Sequence, residues 1–133
     1  MRPWARSAGF TLALVLIALT AGARPPEITP RDLAVRLSSD QPPVVLDVRS
    51  DEEWTAGHIP GAIHIPHDQL RARRDEVPKD RQVVVHCAIA PRARLAEATL
   101  IEAGHPQVWH LSGGFIAWQN DGLAIATDAP TPP

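Results

Sequence analysis

Three consecutive valines, Val83–Val85 in the run QVVVH (residues 82–86), constrain this chain more than any other feature. Successive side chains of a strand point to opposite faces. A strand that is apolar at every position must therefore be covered on both sides. Sheets covered on both sides are characteristically parallel, with helices as the covering layers. The rest of the chain supplies the pieces. Val44-Val45-Leu46 reads as a second buried strand, and Ala62–Ile65 and Gln107–His110 as two more. Thr29 followed by Pro30 is an N-cap with proline at the first helical position, opening a helix with Leu33, Ala34 and Leu37 on one face. Asp51–Ala56 predicts one or two helical turns stopped by Gly57, and Asp68–Glu76 a charged helix. Pro91–Ala103 predicts a longer helix ended by Gly104, and Gly113-Gly114 opens a short segment, Phe115–Asn120, with Phe115 and Trp118 three apart. The expected fold class is α/β: one domain, a parallel sheet with helices on both faces.

The ends read differently. Residues 1–23 carry Arg2 and Arg6, then the apolar run Phe10–Leu19, then Ala21-Gly22-Ala23. That is the order of a secretory signal peptide, with cleavage expected after Ala23 and a periplasmic or secreted product. The apolar run is shorter than the roughly 20 residues that span a bilayer, so no stable membrane anchor is expected after cleavage. Residues 24–28 read as a stiff leader containing Pro25-Pro26, residues 29–126 as the domain, and 127–133 as a disordered proline-rich tail. A formal charge of −2 with no clustered basic face argues against nucleic acid as a partner. Arg71, Arg73 and Arg74 lie among Asp68, Asp75 and Glu76 and read as a solvated helix face. The six histidines show no recognisable metal-ligand spacing.

The chain has one cysteine, which excludes an internal disulfide or a dithiol pair. Cys87 follows the valine strand and precedes the Pro91 helix. Ligands of open α/β sheets bind outside the carboxyl ends of the strands. A helix N-terminus there stabilises a thiolate and an anionic substrate alike. Arg92, at the foot of the helix, places a cation beside the same anion.

Three segments then resemble one family: LDVRSDEEWTAGHIPGAIHIP (Leu46–Pro66), VVVHCAIAPR (Val83–Arg92) and LSGGFIAWQNDG (Leu111–Gly122). Together, in this order and spacing, they resemble the rhodanese family, most closely its single-domain exported members, over about residues 27–126. The resemblance implies sulfur transfer by double displacement. Cys87 would take the outer sulfur of a small anionic donor such as thiosulfate, become a persulfide, and pass the sulfur to a thiophilic acceptor, cyanide or a thiol. The backbone amides of Ala88, Ile89 and Ala90 would cradle that sulfur and Arg92 would hold the donor. No metal or organic cofactor is implied. Six residues from Cys87 to Arg92 match the sulfurtransferase loop; the related phosphatases place arginine one position later, where this chain has Ala93.

Two loop positions depart from the family pattern. Ala90 stands where glycine is usual, and a left-handed backbone there would disfavour alanine. Pro91 lacks the N–H that the fifth position usually offers, unless it opens the helix, where that N–H is not needed. These departures motivate the alternative of a rhodanese-fold binding or redox-sensing module, from which an enzyme would differ by an exposed, reactive Cys87. Asp47 and Arg49 are expected to support the loop, with Glu52 or Glu53 as alternative partners for Arg49. His58 is expected to organise a turn, and Trp54, Phe115 and Trp118 to build core or pocket wall.

Overall fold

A computed structural model describes residues 24–127; the expected signal peptide and nearly all of the tail lie outside the described residues. Five parallel strands form one sheet in the order β1-β5-β4-β2-β3. They are β1 (Glu27–Ile28), β2 (Val44–Asp47), β3 (Ile63–His64), β4 (Val83–His86) and β5 (Val108–Leu111). The valine strand β4 is central, fully buried, and paired with β2 and β5. The expected α/β class and parallel sheet are thus present.

Helices α1 (Pro30–Leu37) and α5 (Gly114–Asn120) cover one face. Leu33, Phe115 and Trp118 pack there with Val45 and Val84. Helices α3 (Leu70–Arg73) and α4 (Pro91–Glu102) cover the other. Leu70, Ala93, Ala96 and Leu100 pack there with Val44, Leu46, Val83 and Val85. Alternation along β4 assigns the faces: Val83, Val85 and Cys87 look toward α4, Val84 and His86 toward α5. Among the described residues, no helix is long and apolar enough to cross a membrane.

Local signals set most boundaries. Thr29 caps α1 by accepting from the Asp32 amide at 3.2 Å, ahead of Pro30. A short α2 (Asp51–Ala56) is opened by a capping box. The Ser50 hydroxyl accepts from the Glu53 amide, and Glu53 accepts from the Ser50 amide. Gly104, with φ +87°, follows the end of α4.

Two expectations change. Glu27–Ile28, read as leader, form β1 and extend the sheet by pairing with His110 and Leu111. Asp68–Glu76 is not one helix: α3 covers four residues and a 3-10 turn follows over Arg74–Glu76. Leu70 alone is buried in that charged run, and a single apolar anchor cannot hold a longer helix against the sheet.

Candidate active site

Chain direction in β4 delivers Cys87 to the carboxyl end of the central strand, where the loop Cys87–Arg92 turns into α4. Two hydrogen bonds fix the loop from the α5 side. The Phe115 amide donates to the Cys87 carbonyl at 2.9 Å, and the Ile116 amide to the Ala88 carbonyl at 3.1 Å. In a trans peptide each N–H points opposite to the preceding C=O. Anchoring these carbonyls on α5 therefore turns the Ala88 and Ile89 amides away from it. Ala90 is the N-cap of α4, its carbonyl accepting from the Arg94 amide at 3.0 Å, and its side chain offers no cap. The first amides of α4 thus end at the loop, as in an anion-binding helix start.

Both loop departures find their place. Ala90 has φ −153°, and no non-glycine residue among those described has positive φ, so the left-handed conformation that would disfavour alanine is not adopted. Pro91 is the first residue of α4, where its missing N–H is not required.

Glycine at position 114 makes the clamp possible. Its φ is +62°, and a Cβ there would lie 2.6 Å from the Ala88 oxygen and 2.7 Å from the Ile89 oxygen. We predict that Gly114→Ala parts α5 from the loop, destabilising the fold by at least about 2 kcal/mol from the left-handed backbone and the clash together. Thermal unfolding reads the change; a variant as stable as the parent would refute it.

Cys87 is a free thiol but only 1% exposed, packed in the apolar cluster that includes Val85 and Ala93. The openly exposed cysteine expected of an enzyme is thus replaced by a buried one, because the position continues the inward-facing row of β4. Arg92 is the second residue of α4. Its Nη1 donates to Glu53 Oε1 at 2.5 Å and its Nη2 to Glu53 Oε2 at 3.0 Å. This pairing raises the Arg92 pKa, with a smaller contribution from the facing Cys87 sulfur. Hydrogen bonding from Arg92 lowers Glu53 to about 2, helped by the Ser50 amide and opposed by burial. Glu53, offered by the sequence only as a partner for Arg49, instead reaches across 39 positions to Arg92.

Arg49 pairs with Asp47. Its Nε donates to Asp47 Oδ1 and Oδ2 at 2.9 and 3.0 Å, its Nη2 to Oδ2 at 2.7 Å, and its amide to Oδ1 at 3.0 Å. Arg49 Nη2 also donates to the Gly57 carbonyl at 2.7 Å, and the guanidinium lies 4.0 Å from the Phe115 ring centroid. Both side chains are buried on the α5 face, opposite Cys87. Trp54 stacks with His58 at 3.6 Å and with His64 at 4.8 Å, while Phe115 and Trp118 belong to the core. His58 also ties its turn to Ala126 through paired backbone bonds. On the α4 face, buried Glu97 accepts from His110 Nδ1 and from Arg94, a cluster that no local sequence signal announces. No group of three or more metal-ligating side chains occurs among the described residues.

His86 is fully buried beside the site. Its Nδ1 donates to the Cys87 carbonyl at 3.1 Å, while Nε2 has no hydrogen-bond partner and lies 3.6 Å from Asp47 Oδ2. Burial lowers its pKa, opposed by Asp47 and the Cys87 carbonyl and reinforced by Arg49 and His110. The unfolded chain therefore takes up this proton first. His86 contributes its full stability above about pH 6.5 and loses it as pH falls, with a slope of up to about 1.4 kcal/mol per pH unit. Denaturant melts between pH 7.5 and 5.5 check this: His86→Gln should flatten the slope, and an unchanged slope would assign it elsewhere.

A central strand that ends in a cysteine loop, backed by a helix start and clamped by a second helix, defines a cysteine-loop α/β domain. The chain belongs to the rhodanese-like domain family, whose sequence profile matches residues 29–121. It is 37% identical over 99 residues to a sulfurtransferase of Allochromatium vinosum, covering 74% of this chain and 92% of that one. It is 33% identical over 101 residues to the thiosulfate sulfurtransferase GlpE of Actinobacillus succinogenes, covering 76% and 90%. The crystal structure of a rhodanese-related protein from Thermoplasma volcanium superposes with a TM-score of 0.71 at 27% identity, covering 77% of this chain and 99% of the other.

Proposed function

We propose that this chain is a sulfurtransferase carrying sulfane sulfur as a persulfide on Cys87. The observation that supports it most is the loop itself. Cys87 follows the central strand, the Ala88 and Ile89 amides turn away from the α5 clamp, and Arg92, in the first turn of α4, interacts with the Cys87 sulfur. In the first half-reaction the Cys87 thiolate attacks the outer sulfur of the donor. The donor's S–S bond breaks, and with thiosulfate the leaving group is sulfite, which takes the bonding pair. The negative charge now rests on the outer sulfur of the Cys87 persulfide, where loop amides and the α4 start stabilise it. In the second, a thiol or cyanide attacks that sulfur and the Cys87 thiolate leaves. No electron donor or acceptor from outside is needed, since sulfur moves between like partners.

The test is single turnover. Protein comprising residues 24–133 is incubated with excess thiosulfate and weighed intact, then treated with cyanide. The expected result is a gain of one sulfur atom, lost on cyanide addition with release of one equivalent of thiocyanate. Readily alkylated Cys87 that gains no sulfur from thiosulfate would point to another donor or a redox role; no gain from an organic thiosulfonate either would overturn the reading in favour of a redox-sensing or binding module. The proposal includes export: residues 1–23 direct the chain out of the cytoplasm, and the N-terminus of the processed protein should be Arg24.

A further inference from the structure

The Glu53–Arg92 pair has a bearing on which sulfur donor the loop accepts. Arg92 interacts with the Cys87 sulfur, yet both its terminal nitrogens already hold the two oxygens of a carboxylate. Glu53 is well prepared for that role. The capping box fixes its backbone at the third position of α2, and the Ser50 amide and hydroxyl each donate to Oε1, at 3.3 and 3.1 Å. With a pKa held near 2, the carboxylate stays charged at any physiological pH. A donor anion therefore meets an arginine whose charge is already balanced.

The rim carries a second, independent observation. Ile89, on the loop, is 58% exposed, and Ile116, whose amide holds the loop, is 44% exposed. Two exposed isoleucines flanking an anion-binding loop suit an organic group better than a small, strongly hydrated ion.

We propose that Glu53 is a specificity-determining residue that disfavours small dianionic donors and selects organic sulfane sulfur, a persulfide or thiosulfonate with at most one charge at its reacting end. This rests on the sulfurtransferase reading. With an organic persulfide, the Cys87 thiolate attacks the terminal sulfur, the S–S bond to the organic group breaks, and the organic thiolate leaves to be protonated by solvent. Cys87 keeps the sulfane sulfur.

Charge selection can be read without sulfur chemistry. The rates at which iodoacetate, an anion, and iodoacetamide, its neutral counterpart, alkylate Cys87 are compared in parent and Glu53→Gln. Glutamine keeps the shape and a capping oxygen but removes the charge. The ratio of the two rates cancels any change in thiolate fraction or in access to the buried sulfur. It should rise about ten-fold in Glu53→Gln, the effect of removing one unit charge a few ångströms from the reagent at an intermediate dielectric. The rise should shrink in about 1 M salt, where the Debye length is about 3 Å. A ratio that stays constant or falls would overturn the proposal, whatever happens to stability. On sulfur donors, the parent should prefer benzenethiosulfonate to thiosulfate, and Glu53→Gln should narrow that preference by a similar factor. If neither compound loads sulfur, the sulfurtransferase reading fails, while the alkylation ratio still decides the role of Glu53.

Discussion

Cys87→Ser should fold like the parent and take up no sulfur. The side chain is buried among apolar neighbours, so exchanging a thiol for a smaller, more polar hydroxyl should destabilise by about 1–2 kcal/mol. That leaves most of the 5–15 kcal/mol typical of a domain intact. The chemistry changes far more. A serine hydroxyl without an adjacent base is not ionised near neutral pH, and a thiolate is the stronger nucleophile toward sulfur. The rate of sulfur gain from thiosulfate, followed by intact mass, should fall by at least about a thousandfold. Residual loading at a tenth of the parent rate or more would mean that Cys87 is not the carrier.

Asp47→Ala should have the largest effect on stability. Asp47 is fully buried and accepts from the amide, Nε and Nη2 of Arg49. Without it, the partners left to a buried guanidinium among the described residues are the Gly57 carbonyl and the face of Phe115. Removing one partner of a buried pair destabilises by about 3–5 kcal/mol, chiefly through the uncompensated charge left behind. In a domain of this size the melting temperature should drop by more than about 10 °C. The double variant Asp47→Ala, Arg49→Met separates charge from packing: with no charge left to compensate, much of the lost stability should return. If the single variant loses less than about 1 kcal/mol, the pair does not hold this corner of the fold.

Much of the fold was legible because its signals are local. The three valines of β4, the Thr29–Pro30 helix start and the Gly57 and Gly104 stops each act within a few residues. So did the site's location, since Cys87 follows an unmistakable strand. Strand β1 escaped because two residues have no periodicity to read, and its partners His110 and Leu111 are supplied only by the folded sheet. Glu53 escaped for a related reason. In the sequence it is one of three consecutive acidic residues, and only the packing of α2 beside the start of α4 singles it out as the partner of Arg92. The burial of Cys87 also ran against a reading that equated reactivity with exposure. Its register on β4 carries it into the row of Val83 and Val85.

The two hydrogen bonds from α5 act as a ruler. They grip the peptides of Cys87 and Ala88 at one end, and Pro91 starts α4 at the other, leaving Ile89 and Ala90 to bridge the gap. An inserted residue could not be absorbed by sliding. It would have to bulge outward past Ile89 or release Arg92 from Glu53. A loop enlarged for a bulkier oxyanion would therefore take its extra residue at Ile89 and Ala90, between the α5 anchors and the start of α4.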